Sequence, residues 1–283
     1  MSPPEPKSTP VRTYREFNRH YHLKKRVRNR LRDHAVFAAS LFCSIPRGSS
    51  WIRFPVYHHV FDDERGGFAA QIAYFKNFGE FISMDEAVTL LESREPLDGR
   101  YLCVTFDDGY RNFLPNALPI LQEHGAPAII YVPTGLITAS GETGAPLARE
   151  FYPGEEKAFL EFLTWDECRL LAEAGVAIGS HTAGHVSLAG LSEAEARREL
   201  AESKAVIEKE TGRRCLHFAC PGGLMNTDFK RGRDPELARS AGYRSFAAMV
   251  RGSAARKPDP MMIERDLALA ARGTYQLRYF FSR

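Results

Sequence analysis

From residue 51 onward, short apolar runs alternate with segments whose apolar residues recur at helical spacing. The apolar runs predict strands and the periodic segments predict helices between them. Ser192 with Glu195 three residues later forms a capping box that marks the start of one helix. This alternation is typical of a parallel sheet with helices outside it. The predicted strands are Ile52–Tyr57, Tyr101–Phe106, Ala128–Val132, Val176–Ser180, Leu216–Ala219 and Ser245–Val250, and the predicted helices cover 67–78, 84–93, 112–124, 164–174, 192–211 and 234–241.

Six or seven such units suit a closed or nearly closed β/α barrel, so we expect an α/β fold with its chemistry at the C-terminal ends of the strands. Polar or turn-forming residues follow four of the predicted strands, namely Tyr57-His58, Asp107-Asp108, His181 and Pro221-Gly222. The stretch 141–163 is expected to be a long loop insertion over that edge, with room for some helix. These four groups are therefore predicted to meet at one edge.

Residues 1–50 have a different character from the rest of the chain. They carry eleven Lys/Arg against three Asp/Glu, while the remaining residues carry 27 against 32. Apolar positions across 13–33 predict an amphipathic helix, and the chain breaks at Pro46–Ser50. We predict a basic N-terminal extension over 1–50 and one main domain over 51–283. A basic arm can contact a membrane surface or nucleic acid, and a solvated helix packed on the body is the alternative.

The composition is that of a soluble globular protein of 283 residues, with 44% hydrophobic and 26% charged residues. No apolar run approaches the ~20 residues of a membrane span. The five cysteines form no CxxC pair, which argues against a disulfide framework or a thiolate zinc site. The apolar stretch 35–45 begins too late for a secretory signal. We expect a cytoplasmic location, and association with a membrane surface is left open.

Asp107 and Asp108 end an apolar strand and precede Gly109. At a strand end the chain turns, so both carboxylates can face one cavity, where one can bind a metal and the other can move protons. An Asp-Asp-Gly turn without chemistry is the alternative. His181 and His185 lie four residues apart just after another strand, a spacing that brings both imidazoles to one face of a helix or tight turn. Two imidazoles and one carboxylate leave coordination positions open, so the sequence predicts a metal site.

The segment Phe218-Ala219-Cys220-Pro221-Gly222-Gly223 leads from a strand into a turn that exposes backbone N–H groups. Such groups can stabilise an oxyanion, although a plain turn explains the same residues. Thr-Phe-Asp-Asp-Gly, Ser-His-Thr-x-x-His and Phe-Ala-x-Pro-x-Gly in this order resemble the motifs of the polysaccharide deacetylase (NodB-homology, carbohydrate esterase) family. The resemblance extends from about Phe54 to about Met249.

The resemblance implies an irregular (β/α)7 barrel and a metal-dependent deacetylase of acetylated sugars. It assigns Asp107 as the general base and Asp108, His181 and His185 as the ligands of a divalent metal. Zinc is the first expectation for that metal, with cobalt, nickel or manganese as alternatives. The resemblance also implies that the Gly222 N–H helps to bind the oxyanion of the reaction.

Two positions depart from the family pattern. Many members carry an Arg that orients the catalytic Asp where this chain has Ala219, and a general-acid His near the C-terminus, whereas no histidine follows Cys220. The Tyr57-His58 element resembles a branch that includes poly-N-acetylglucosamine deacetylases, in which an early His is the acid. The resemblance therefore implies that His58 is the general acid, with a structural His58 as the alternative.

Aromatic residues near the predicted site offer faces for a sugar ring, although core packing is the more frequent role of such residues. The expected substrate-binding residues are Tyr110, Trp165 and Pro221. The expected partner is an acetylated saccharide, and no nucleic acid is expected. Rival functions are another amide hydrolysis on the same scaffold, such as a deformylase or imidase, or a non-catalytic saccharide-binding relative.

Overall fold

The computed structural model describes residues 10–19, 21, 23–93, 95–140, 160–251 and 259–282. Ten helices of this part of the chain are α1 (Tyr14–Arg19), α2 (Leu23–Ser40), α3 (Arg65–Phe75), α4 (Met84–Glu92), α5 (Leu118–His124), α6 (Thr134–Ser140), α7 (Trp165–Glu173), α8 (Glu193–Thr211), α9 (Asp234–Ser240) and α10 (Tyr275–Phe280). Its strands are β1 (Trp51–Arg53), β2 (Pro55–Tyr57), β3 (Glu80–Phe81), β4 (Arg100–Leu102), β5 (Val104–Phe106), β6 (Ala128–Val132), β7 (Ala177–Ser180), β8 (His217–Ala219), β9 (Ser245–Ala247) and β10 (Asp266–Leu267). None of the described helices is both long and apolar enough to cross a bilayer.

Seven parallel strands form the main sheet in the order β10-β2-β5-β6-β7-β8-β9. The sheet is curled into a half-barrel with helices outside it, which confirms the predicted α/β fold of the (β/α)7 barrel type. A smaller parallel sheet has the order β1-β4-β3. All six predicted helices are present, and the predicted capping box at Ser192 begins α8.

Two predicted strands are each divided between the two sheets. The run Ile52–Tyr57 becomes β1 and β2, which separate at Phe54, and the run Tyr101–Phe106 becomes β4 and β5, which separate at Cys103. The single strands predicted there are therefore wrong. A run of mostly apolar residues does not show where the chain leaves one sheet for the other, because buried residues lie on both sides of each break.

Side chains of β6 show how the sheet divides the core. Ile130 and Val132 belong to the larger hydrophobic cluster, which the outer helices cover, whereas Ile129 and Tyr131 belong to a second cluster. This alternation is the two-residue period of a strand. The second cluster also contains residues of β1 and α4, so the small sheet and α4 close the other face.

The N-terminal extension packs on the body. The Tyr14 N–H donates to Asp63 Oδ1 at 2.6 Å, and Phe17 lies in the larger core cluster. Helix α2 packs against α10, and Arg272, which precedes α10, forms a 2.7 Å ion pair with Asp33 of α2. The helix predicted over 13–33 is observed as α1 and α2, and α2 continues to Ser40. Of the predicted insertion 141–163, residues 141–159 lie outside the described residues, while Phe162 forms an antiparallel bridge with Tyr110.

Candidate active site

The C-terminal ends of β2, β5, β7 and β8 bring the predicted site residues to one edge of the sheet. Phe106, the last residue of β5, pairs with Tyr57 of β2 and with Ile130 of β6. The Asp107 N–H continues the β2–β5 ladder by donating to the Tyr57 carbonyl oxygen at 3.0 Å. On the other side of β6, the His181 N–H donates to the Val132 carbonyl oxygen at 3.0 Å. The hydrogen-bonding of the sheet thus places the Asp-Asp pair beside the first histidine.

Asp108, His181 and His185 form a compact cluster that suits a metal ion. One ligand atom from each lies within 4.8 Å of the others. Asp108 Oδ1 is 3.3 Å from His181 Nε2 and 3.1 Å from His185 Nε2. Ligand atoms about 2.0–2.2 Å from one divalent cation stand about 3.0–3.5 Å from each other. The donor types and their spacing therefore fit one such cation.

The hydrogen bonding of His181 and the ionisation of Asp108 also suit metal binding. His181 Nδ1 donates a 2.8 Å hydrogen bond to the Ala219 carbonyl oxygen, because a carbonyl can only accept, so Nε2 is the ring nitrogen that faces Asp108 and would bind a metal. Burial opposes the ionised form of Asp108, but hydrogen bonds from His181 and His185 outweigh it and hold the pKa of Asp108 well below its usual range. Asp108 is therefore ionised, as a carboxylate that binds a metal must be.

A tight turn, and not a helix, brings the two histidines together. The Ala183 and Gly184 N–H groups both donate to Glu199 Oε2 of α8, at 2.9 and 3.0 Å. Asp108 and His185 have positive φ angles of 72° and 53°, which non-glycine residues rarely adopt. Backbone strain of this kind gathers at functional sites, where the surrounding structure must maintain it.

Asp107 is held by a buried arginine that the sequence did not single out. Arg265 donates two hydrogen bonds of 2.7 Å, one to each carboxylate oxygen of Asp107, and also donates to Thr105 Oγ1 at 3.3 Å and to the Ala248 carbonyl oxygen at 3.2 Å. Arg265 is 0% exposed. Burial opposes the charge of Asp107, but Arg265 outweighs it and keeps the pKa of Asp107 below its usual value. The carboxylate is therefore ionised and fixed in orientation.

Arg265 makes with Asp107 the kind of contact that the family pattern gives to an Arg at the position of Ala219. It precedes β10, the edge strand next to β2, and lies beyond Met249, where the sequence resemblance ends. In the sequence it is the middle residue of the charged triplet Glu264-Arg265-Asp266, which is also typical of a solvated turn. That signal is too weak to identify a partner for Asp107.

His58 lies near the two aspartates, and His59 points away from them. Burial lowers the pKa of His58, while the carboxylates of Asp108 and Asp107 act in the opposite direction. The His59 ring packs 5.0 Å from Phe17 and 4.3 Å from Phe61. The opposite orientations are those expected of neighbouring residues in extended chain. His58 is thus the histidine of this pair that is available to the site.

The Pro221-Gly222 turn follows β8. Gly222 has a φ of 69°, and a Cβ at this position would lie 2.5 Å from Asp228 Oδ2, so only glycine fits without displacement. None of the described residues accepts a hydrogen bond from the Gly222 N–H. That donor is consequently available for a ligand.

The three residues expected to bind substrate differ in exposure. Tyr110 is 4% exposed and stacks on Phe162 at 5.2 Å. Pro221 is buried, and Trp165 is partly buried with its Nε1–H donating to Thr138 Oγ1 at 3.1 Å. Of these side chains, Trp165 offers the most accessible surface for a sugar ring.

The family model for polysaccharide deacetylases matches residues 94–246, more than half of the chain. The chain belongs to this family. Asp107, Asp108, His181, His185 and Gly222 lie within the matched residues of this family member, whereas His58 and Arg265 lie outside them.

Three relatives illustrate the extent of the similarity. The Bacillus subtilis protein YxkH is 24% identical over 172 residues, which are 61% of this chain and 52% of YxkH, so the match spans about half of that relative. The Streptococcus pyogenes deacetylase PplD, solved in complex with acetate, has a TM-score of 0.66 at 21% identity, over 83% of this chain and 100% of PplD. IcaB from Ammonifex degensii has a TM-score of 0.67 at 22% identity, over 83% of this chain and 98% of IcaB. These two structures share the fold of this family member.

Proposed function

We propose that the protein is a metal-dependent hydrolase that removes acetyl groups from an acetylated sugar, such as an N-acetylhexosamine in a polysaccharide, oligosaccharide or glycan precursor. One observation carries the proposal. Asp107, a buried and ionised carboxylate outside the ligand cluster, directly precedes Asp108, which lies within 3.3 Å of both candidate histidine ligands. Metal-assisted acyl hydrolysis needs a general base that lies beside the cation site but is not itself a metal ligand.

Asp108, His181 and His185 would hold the cation. When bound, the cation acidifies water and polarises the acetyl carbonyl. We favour zinc, because two imidazoles and one carboxylate are ligands that suit it, and the open positions leave room for water and substrate. Cobalt, nickel and manganese remain alternatives on the same ligand set.

The other residues divide the proton transfers and charge stabilisation between them. Asp107 accepts a proton from the attacking water, and Arg265 keeps it ionised and oriented for that step. The Gly222 N–H donates to the oxyanion that forms on the acetyl carbon, a contact worth about 3 kcal/mol. His58 donates a proton to the departing amine or hydroxyl of the sugar. Tyr110, Trp165 and Pro221 would form the wall that contacts the sugar.

The rival functions can be separated from this one by chemistry. A non-catalytic saccharide-binding relative does not need a base, yet Asp107 is present and held by two hydrogen bonds. A deformylase or imidase would use the same site, because the ligands and base do not fix the acyl group. The family membership and the acetate-bound deacetylase PplD support an acetylated saccharide.

Acetate release from a panel of substrates tests the proposal. The panel contains N-acetylated and O-acetylated oligosaccharides, together with a formylated amino sugar and a cyclic imide. We expect acetate release by the wild type, and a loss of about a thousandfold for Asp107→Asn, because the base is removed. Asp166→Asn is the matched control, since the Asp166 side chain is 85% exposed and pairs only with Arg169 among the described residues. Hydrolysis of only the formyl or imide compound would reject the deacetylase.

The division into an extension over 1–50 and a catalytic domain over 51–283 stays a prediction. The described part of the extension packs on the rest of the chain, so removing it would expose the core residues that Phe17 contacts and the face of α10 that α2 covers. The cytoplasmic location and the membrane contact of the basic extension also stay predictions.

A further inference from the structure

Helix α2 turns its large apolar side chains outward. The described part of the chain has nine exposed large hydrophobic residues, and six of them lie between residues 23 and 42. Leu23 is 71% exposed, Val27 48% and Leu31 65%. Residues four apart stand above one another on a helix, so these three form a continuous ridge. Phe37 of α2, with Leu41 and Phe42 directly after it, extends the exposed apolar surface past the end of the helix.

The opposite face of α2 fixes the helix to the body. Val36 and Ser40 are buried there. Asp33 accepts a hydrogen bond from the Tyr275 hydroxyl and pairs with Arg272. A helix of a soluble protein normally packs its apolar stripe inward and leaves its polar face in water. In α2 the packed face contains polar contacts and the ridge faces outward, so the ridge is not accounted for by the fold of this chain.

Basic residues border the ridge. Helix α2 contains six Lys/Arg and one acid, Asp33, which is already engaged with the body. Lys24, Arg28 and Arg30 are exposed, and no carboxylate of the described residues pairs with them. Long basic side chains beside an apolar ridge can extend to lipid headgroups while the ridge enters the acyl boundary.

We propose that the outward face of α2 binds the surface of a bilayer that contains anionic phospholipids. Charge complementarity favours this occupant, because anionic headgroups match the bordering cations and attract each of them. A second copy of the chain would bring two strongly basic faces together, which costs free energy. A nucleic acid would match the cations but leave the ridge in water.

Docking would also place the active site near the bilayer. Arg32 of α2 lines a cavity of about 140 Å³ together with His59 and Leu267. His59 follows β2 and Leu267 ends β10, so the middle of α2, where Arg32 lies, is beside the sheet edge where His58 and Asp107 lie. A saccharide attached to the membrane would then be within reach of the site. This consequence rests on the proposed function, whereas the docking itself does not.

Vesicle co-sedimentation of the full chain tests the docking. We expect binding to vesicles of phosphatidylcholine mixed with phosphatidylglycerol, weak binding to phosphatidylcholine alone, and a decrease as salt rises. The triple variant Leu23→Ser, Val27→Ser, Leu31→Ser should bind about tenfold more weakly. Leu170→Ser is the matched control, because Leu170 is 59% exposed on α7, and it should bind like the wild type.

Charge variants supply a second arm. Lys24→Gln, Arg28→Gln and Arg30→Gln together should weaken binding to anionic vesicles by roughly a hundredfold at low salt. Acetate release from a soluble substrate should be unchanged in every variant, because none of these residues contacts the site. Wild-type binding that is equal for both vesicle types, or equal binding by the serine variant, would overturn the proposal. So would a wild-type dimer that the serine variant converts to monomer.

Insertion depth gives an independent readout that does not depend on affinity. Tryptophan is introduced in Leu31→Trp and, as control, in Leu170→Trp. Phospholipids brominated on their acyl chains should quench the first and not the second, after subtraction of the wild-type signal from Trp51 and Trp165. Equal quenching of the two variants would contradict an α2 face that enters the bilayer.

Discussion

Replacing Arg265 by methionine isolates the arginine that holds the candidate base. Methionine keeps an unbranched chain of similar length and removes only the guanidinium. Asp107 then stays buried without a cation, since Arg265 is 0% exposed and the Asp107 side chain 3% exposed. The two 2.7 Å hydrogen bonds are both lost.

The structure sets the size of the effect. Hydrogen bonds to charged groups contribute about 1.5–3 kcal/mol each, and removing one partner of a buried ion pair costs about 3–5 kcal/mol. We therefore expect Arg265→Met to lower the free energy of unfolding by about 4 kcal/mol. In the double variant with Asp107→Asn most of that loss should disappear, because no unpaired carboxylate remains.

The activity should respond through the pKa of Asp107. Burial raises that pKa and Arg265 lowers it, so without Arg265 the pKa of Asp107 rises. The acidic limb of the kcat/KM profile should therefore move to higher pH in Arg265→Met. Arg53→Met is the control, since Arg53 is equally buried but pairs with Asp266 at 3.5 Å, and its acidic limb should not move.

Urea unfolding of the four proteins of the cycle and pH profiles of acetate release are the assays. A double-variant cycle with no coupling between Arg265 and Asp107 would refute the pairing. An unchanged acidic limb in Arg265→Met would refute its control over the base. A simple structural role would lower stability in Arg53→Met and Arg265→Met alike and move neither limb.

Three further predictions follow from particular contacts. His58→Ala should lower kcat by about a hundredfold or more while metal content stays the same, and full activity would remove His58 as the acid. Glu199→Ala loosens the turn between the two histidines and should weaken metal binding about 10–100-fold by metal titration, unlike the exposed control Glu202→Ala. Burial raises the pKa of Asp266 from its ordinary value of 3.8 to about 6, so the folded state binds more protons and this group's contribution to stability is lost as pH rises from about 4 to 6. Relative to the wild type, Asp266→Asn should therefore gain about 3 kcal/mol of unfolding free energy between pH 4 and pH 7, and a difference that stays constant with pH would contradict the raised pKa.

Local periodicity correctly predicted the strands that stay within one sheet and the helices that begin at a clear capping signal. Strand β6 is observed over Ala128–Val132 as predicted, and helix α8 starts after its predicted capping box. The exchange between sheets at Phe54 and Cys103 could not be predicted, because buried residues lie on both sides of each position. Strands of two residues, such as β10, carry too little pattern to be detected.

The ligand cluster was accessible to sequence reasoning because Asp107–Asp108 and His181–His185 are short motifs at strand ends. Arg265 was not, because it lies 158 residues from Asp107 in a stretch with no motif. Only the sheet order, in which β10 lies beside β2, brings Arg265 to the base. For the N-terminal segment, the sequence showed the helical spacing of the apolar residues. It did not show whether the apolar face of that helix packs on the protein or faces solvent.

Removal and restoration of metal test the central claim most directly. Acetate release from an N-acetylated oligosaccharide is measured for the wild type and Asp107→Asn before chelation, after chelation and after adding back one equivalent of zinc. We predict that the wild type loses its activity on chelation and regains it with zinc, and that Asp107→Asn binds zinc but stays inactive. Acetate release that survives both chelation and Asp107→Asn would contradict a metal-dependent deacetylase built on these residues.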